Sequence, residues 1–121
     1  MTDKIKYNIK KGEIRKIGKE LSQKLEPLGL EPKEIFFFGS RVKGKAKETS
    51  DLDIAFVPKR KTWESPREYT QLMENVKIHT KDIKYRGNPL DLQVVNSFEP
   101  AEAGFCFEKL KQGKITRKCE L

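Results

Sequence analysis

The stretch that most constrains this chain is Ile35-Phe36-Phe37-Phe38, four large apolar side chains in a row, cut off at once by Gly39-Ser40. A run this short with no polar face reads as a strand buried on both sides rather than a helix. Partners for it are written elsewhere. Leu52, Ile54 and Phe56 alternate with Asp51, Asp53 and Ala55, the pattern of a second strand, stopped by Pro58. Leu90 to Val95 reads as a third strand, set off by the Gly87-Asn88-Pro89 break.

Helices interleave with these strands. Ile14, Ile17, Leu21 and Leu25 form one stripe of an amphipathic helix over 11–25, with Arg15, Lys16 and Lys19 on the opposite side and Pro27 and Gly29 ending it. Tyr69, Leu72, Met73, Val76 and Thr80 stripe a second helix over 66–79. Ser65 and Glu68 stand at capping-box spacing at its start, and Pro66 suits its first position. Ala103, Phe107 and Leu110 give a final helix over 100–112, closed by Gly113, with Ile115 able to begin a last short strand. Residues 41–48 suit one or two helical turns with Ser40 as N-cap, and 83–85 fit either the end of a helix or an edge strand. The expected class is α+β with α/β-like alternation: a small mixed sheet with flanking helices, in one domain over residues 1–121.

Composition narrows the partners. The 121 residues hold 26 Lys and Arg against 18 Asp and Glu, a formal net charge of +8. Thirteen basic and six acidic residues fall within the first 47, and Arg41, Lys43, Lys45 and Lys47 crowd together with no acid between them. Such a field attracts polyanions, whether nucleotide, nucleic acid or an acidic protein. No apolar run approaches the roughly 20 residues that span a bilayer, and the N-terminus has no apolar stretch of a secretory signal. The expected location is therefore cytoplasmic. Cys106 and Cys119 form neither a disulfide framework nor a metal-ligand spacing. His79, the only histidine, sits near the end of the second helix, where a favourable dipole interaction is its expected role.

Two of the three clear strands carry aspartate where a half-buried strand disfavours charge, and such conflicts mark functional sites. Asp51 and Asp53, two apart on a strand, would project to one face. If the Asp91 strand lies beside them, three carboxylates share a site and repel unless cations neutralise them. Mg²⁺ takes one or two carboxylates and fills its shell with water and phosphate oxygens. Three carboxylates suit two ions, the arrangement that supports in-line displacement at phosphorus. Gly39 at a strand end lets backbone approach a phosphate, Ser40 adds a hydroxyl donor, and the following helix start offers free N–H groups. Arg41 and Lys43 stand near enough to help hold a polyphosphate. Each piece alone has an ordinary reading as a turn or a solubilising charge; their order and placement on strand ends set the combination apart.

Phe36 to Lys43 with Gly44, followed by Ser50-Asp51-Leu52-Asp53-Ile54-Ala55, resembles the signature of the minimal nucleotidyltransferases, a branch of the DNA polymerase β-like superfamily. A typical member reads Gly-Ser-Arg-Ala-Arg-Gly before Ser-Asp-x-Asp, with a third aspartate on a later strand; Val42 and Lys43 depart mildly from it. The resemblance implies a nucleotidyltransferase fold and Mg²⁺-dependent transfer of a nucleoside monophosphate from an NTP, AMP from ATP being the first choice, to a hydroxyl. It implies that Asp51 and Asp53 bind Mg²⁺, that Asp91 completes a two-ion site and helps deprotonate the acceptor, and that Gly39 and Ser40 contact the triphosphate. It also implies a small helical HEPN-like partner in a toxin–antitoxin pair, with a protein hydroxyl of that partner as acceptor.

Two other readings stand beside this one. The same fold could neutralise a partner by contact alone, as a non-catalytic antitoxin. The basic surplus could also serve a nucleic-acid-binding or RNA-modifying transferase, although no aromatic platform accompanies the basic run. The role of the basic loop from Lys59 to Trp63 is open at this level.

Overall fold

A computed structural model describes residues 7–60, 63–95 and 116–118, with the backbone alone for Lys43 and for the last three. The first stripe forms helix α1 (Lys11–Leu25), and Ile14, Ile17, Leu21 and Leu25 are all buried. A 15-residue helix is marginal in water by itself. Burial of four aliphatic side chains, each worth about 1.5–3 kcal/mol, supplies what propensity does not. At its start the Glu13 carboxylate accepts the Lys10 N–H at 2.9 Å. A 3₁₀ turn over Glu26–Leu28 and Gly29, at φ 77°, end it.

Strand β1 (Pro32–Phe38) contains the apolar run and starts three residues before it. Its first residues are polar or half exposed and enter the sheet because they face Val57 and Pro58 of β2 (Leu52–Pro58). Between the two strands lies a single helical turn, α2 (Ser40–Lys43), shorter than the expected 41–48. Its N-cap is Gly39 rather than Ser40: with φ 81° and ψ −159°, Gly39 makes the whole corner, so Ser40 is already helical.

Helix α3 (Pro66–Thr80) forms where the second stripe predicts, one residue longer. The Ser65 hydroxyl accepts the Glu68 N–H at 3.2 Å, whereas the Glu68 carboxylate takes the N–H of Glu64 at 3.0 Å, one residue outside a standard capping box. Val76 and Thr80 are buried, and Leu72 and Met73 pack against the core. The ambiguous 83–85 segment resolves as an edge strand, β3 (Lys84–Tyr85), hairpinned to β4 (Asn88–Val94). Arg86 (φ 51°) and Gly87 (φ 80°) fill the two-residue turn, both at the positive φ that tight hairpins require. A short strand β5 (Thr116–Lys118) follows. The expected helix over 100–112, with Ala103, Phe107 and Leu110, lies outside the described residues, as do Cys106, Ile115 and Cys119.

The sheet order is β3-β4-β2-β1-β5. Among the described strands, only β2 and β4 run parallel; the other pairings are antiparallel, which makes the sheet mixed, as expected. Ile35, Phe37, Leu52, Ile54, Phe56, Leu92 and Val94 share one core with α1 and α3. Phe38, Ala55, Val57 and Val95 make a smaller cluster with Phe36. By strand alternation Asp53 falls on the side of Ala55 and Val57, away from the helices. Among the described residues, no helix is long and apolar enough to cross a membrane.

Candidate active site

The carboxyl-bearing strands meet. Parallel pairing of β2 with β4 puts Asp53 directly opposite Asp91, with Leu52 opposite Leu90 and Ile54 opposite Leu92. Both aspartates therefore stand on one face of the sheet at neighbouring positions, both half buried. On the other flank Asp53 is the register partner of Phe38, whose successor is Gly39. A Cβ on Gly39 would collide with Oδ2 of Asp53 and stand 3.0 Å from its Cγ. Gly39 is thus required twice, by contact with the carboxylate and by a φ/ψ combination essentially reserved for glycine. Motif and third aspartate converge because the β1–β2 and β2–β4 pairings share the strand between them.

Arg41, expected beside the phosphates, is instead completely buried. Its Nη1 donates to the Tyr7 carbonyl at 2.9 Å, Nη2 to the carbonyls of Glu48 and Ser50 at 2.9 Å, and Nε to Ser50 at 3.2 Å. The guanidinium also stands 5.0 Å from the centre of the Tyr85 ring. These contacts tie the start of the described chain and the loop before Asp51 to α2. No sequence signal separates a guanidinium for carbonyls from one for phosphate, since both use the same planar fork of donors. Asn88, unremarkable in the sequence, holds the same loop through Nδ2 and the Glu48 carbonyl at 2.9 Å.

Asp51 is exposed and precedes the first residue of β2, so strand alternation no longer fixes its direction. Ser40 is half buried at the first position of α2, and the Lys43 side chain lies outside what is described. Among the described residues, no three His, Cys, Asp or Glu side chains are gathered to hold a metal ion. The Asp53–Asp91 pair is nevertheless a hard, all-oxygen donor set of the size Mg²⁺ uses when water and phosphate complete its shell.

A family model described as polymerase beta, nucleotidyltransferase, matches residues 15–117, most of the chain and every element that builds this site. The chain belongs to the polymerase beta nucleotidyltransferase family. No curated protein matches it significantly.

Two further features of this nucleotidyltransferase domain involve Tyr85 and the cleft beside β4. Tyr85, buried in the β3–β4 hairpin, donates to the Glu13 carboxylate at 3.2 Å and accepts from Arg86 Nε at 3.2 Å. Burial pushes its phenol pKa above the ordinary value of 10.0, and the neighbouring Glu13 carboxylate adds to the rise. An open cleft runs between α3 and β4, where Tyr69, Met73 and Lys77 face Asp91, Leu92 and Gln93. Trp63, from the basic loop, packs edge-on against Tyr69 with ring centres 4.8 Å apart, which gives that loop a structural task at the cleft. His79 Nδ1 lies 2.9 Å from the Asn75 carbonyl oxygen, a bond within its own helix.

Proposed function

We propose that the domain transfers a nucleoside monophosphate, AMP from ATP, to a hydroxyl of a partner protein, with a HEPN-like helical toxin as the partner class. The observation that carries this reading is the Asp53–Asp91 register pair set against Gly39. Gly39 leaves the corner without a side chain, so the backbone there can approach the triphosphate, and the first-turn N–H groups of α2 and the Ser40 hydroxyl can donate to it. Asp53 and Asp91, with Asp51 drawn in from the preceding loop, would hold Mg²⁺, which when bound neutralises the crowded phosphate oxygens. Asp91, which also lines the α3–β4 cleft, accepts the proton of the attacking hydroxyl. The acceptor oxygen bonds to the α-phosphorus, the bond from that phosphorus to the oxygen bridging toward the β-phosphate breaks, and pyrophosphate leaves. Arg41 acts through the loop it fastens and touches no substrate.

The test is incubation of the purified chain with α-labelled ATP, Mg²⁺ and the candidate helical partner. Label should pass to the partner and vanish with Asp53→Asn or Asp91→Asn while the circular dichroism spectrum is unchanged. Equal labelling by wild type and either variant would sink the reading.

A further inference from the structure

The start of β4 carries an inference about how Asp51 is brought to the other two aspartates. The pairing of β2 with β4 begins at Leu52 opposite Leu90, so the ladder that aligns Asp53 with Asp91 stops one residue short of Asp51. The chain just before Asp51 is a turn over 47–50. The Ser50 N–H donates to the Lys47 carbonyl at 3.1 Å, and the Ser50 hydroxyl accepts the Lys47 N–H at 2.8 Å. These bonds close the turn on itself; two side chains from elsewhere in the fold anchor it.

The anchoring point is the Glu48 carbonyl. It accepts from Arg41 Nη2 at 2.9 Å and from Asn88 Nδ2 at 2.9 Å, which uses both of its lone pairs. Arg41 reaches it from α2, just after the Gly39 corner. Asn88 reaches it from the first residue of β4, three positions before Asp91. One oxygen therefore joins the turn ahead of Asp51 to the phosphate corner and to the strand of Asp91. The other partner of Asn88 Nδ2 is also a carbonyl, that of Arg86 at 3.4 Å, so the nitrogen acts here purely as a donor. Unlike the buried Arg41 clamp, the Asn88 bond is exposed, and its loss loosens the joint without opening the core.

We infer that Asn88 is a positioning residue for the metal site. By tying Glu48 to β4 it holds the chain through Ser50, so that only Asp51 itself has to order when its carboxylate joins an ion shared by Asp53 and Asp91. Freedom removed in advance raises affinity without adding a contact to the ion. The tether is independent of the transfer reading, whereas its purpose rests on that reading's Mg²⁺.

The experiment uses the whole chain and two variants, Asn88→Ala and Asn88→Asp, whose urea midpoints should stay near that of wild type. Without nucleotide or Mg²⁺, amide hydrogen exchange at Ser50 and Asp51 should speed up about fivefold or more in both. Calorimetric titration of Mg²⁺ in the presence of a non-hydrolysable ATP analogue should show affinity about tenfold weaker in both. Asn88→Asp separates position from charge: the added carboxylate attracts Mg²⁺ but cannot donate to Glu48. Tighter Mg²⁺ binding by that variant would overturn the inference. The action through Asp51 is read from a double-mutant cycle. Asn88→Ala should cost little further affinity once Asp51→Asn is in place, and fully additive losses would overturn the inference. Unchanged exchange, or unchanged Mg²⁺ affinity in both variants beside a wild type that binds, would overturn this inference alone. A wild type with no nucleotide-dependent Mg²⁺ binding would overturn the transfer reading and this inference with it.

Discussion

Asp53 of β2 and Asp91 of β4 are direct partners in the only parallel strand pair among the described strands, although 38 positions separate them in the chain. Parallel strands cannot be joined by a tight turn. Here α3 and the β3 hairpin fill the connection, returning the chain to the same end of the sheet. The adjacency of the two acids is a consequence of that crossover and of a register fixed by Leu52 opposite Leu90 and Ile54 opposite Leu92.

Because two paired carboxylates rather than three stand together among the described residues, Mg²⁺ alone should bind weakly. Calorimetric titration should give a dissociation constant in the millimolar range. With a non-hydrolysable ATP analogue present, affinity should rise about tenfold or more, as phosphate oxygens supply the missing ligands. Asp91→Asn should remove that gain.

Gly39→Ala should damage both stability and transfer. The new methyl meets Asp53 and the backbone sits at φ 81°, a cost of about 1–3 kcal/mol for the conformation alone. A lower urea midpoint, together with at least a tenfold loss of labelling under conditions where the variant remains folded, is the expected result.

Arg41 separates a structural role from a phosphate role. Arg41→Ala leaves the carbonyls of Tyr7, Glu48 and Ser50 without their donors, and should cost about 3 kcal/mol or more in the absence of any nucleotide. Arg41→Lys, which has the charge but not the fork, should recover part of this in urea denaturation. A variant as stable as wild type would contradict the clamp.

Tyr85 predicts a change at the alkaline end. Its pKa is raised in the fold, so its neutral form is the one the fold favours. The corresponding stability is complete below the unfolded value near 10 and is lost as pH climbs through the higher folded value. Thermal melts should therefore fall less steeply above pH 10 in Tyr85→Phe than in wild type, while the variant is somewhat less stable at neutral pH because Glu13 and Arg86 lose their partner hydroxyl.

Ser65 caps α3 through the Glu68 N–H. Ser65→Ala should lower stability by about 1 kcal/mol, visible as a shift of the urea midpoint with an unchanged slope.

Much of this was legible in the chain itself. The stripes of α1 and α3 and the alternation of Leu52, Ile54 and Phe56 are local periodicities, and local periodicity is what a helix or a half-buried strand imposes on its own residues. Gly39 followed by Ser40 marked the corner, and the aspartates stood out as charges on strands with an apolar period. Other elements had no local signature. Pro32 to Glu34 joined β1 only because β2 lay alongside, and Tyr85 became a strand residue only through its hairpin partner Asn88. The fate of Arg41 depended on carbonyls seven or more residues away in either direction. The order of the chain singled out which residues are candidates for the chemistry. The tertiary pairing alone decided that Asp91 stands beside Asp53 and that Arg41 faces inward, because contacts between distant segments follow from register and crossover, and neither is encoded in any single stretch of sequence.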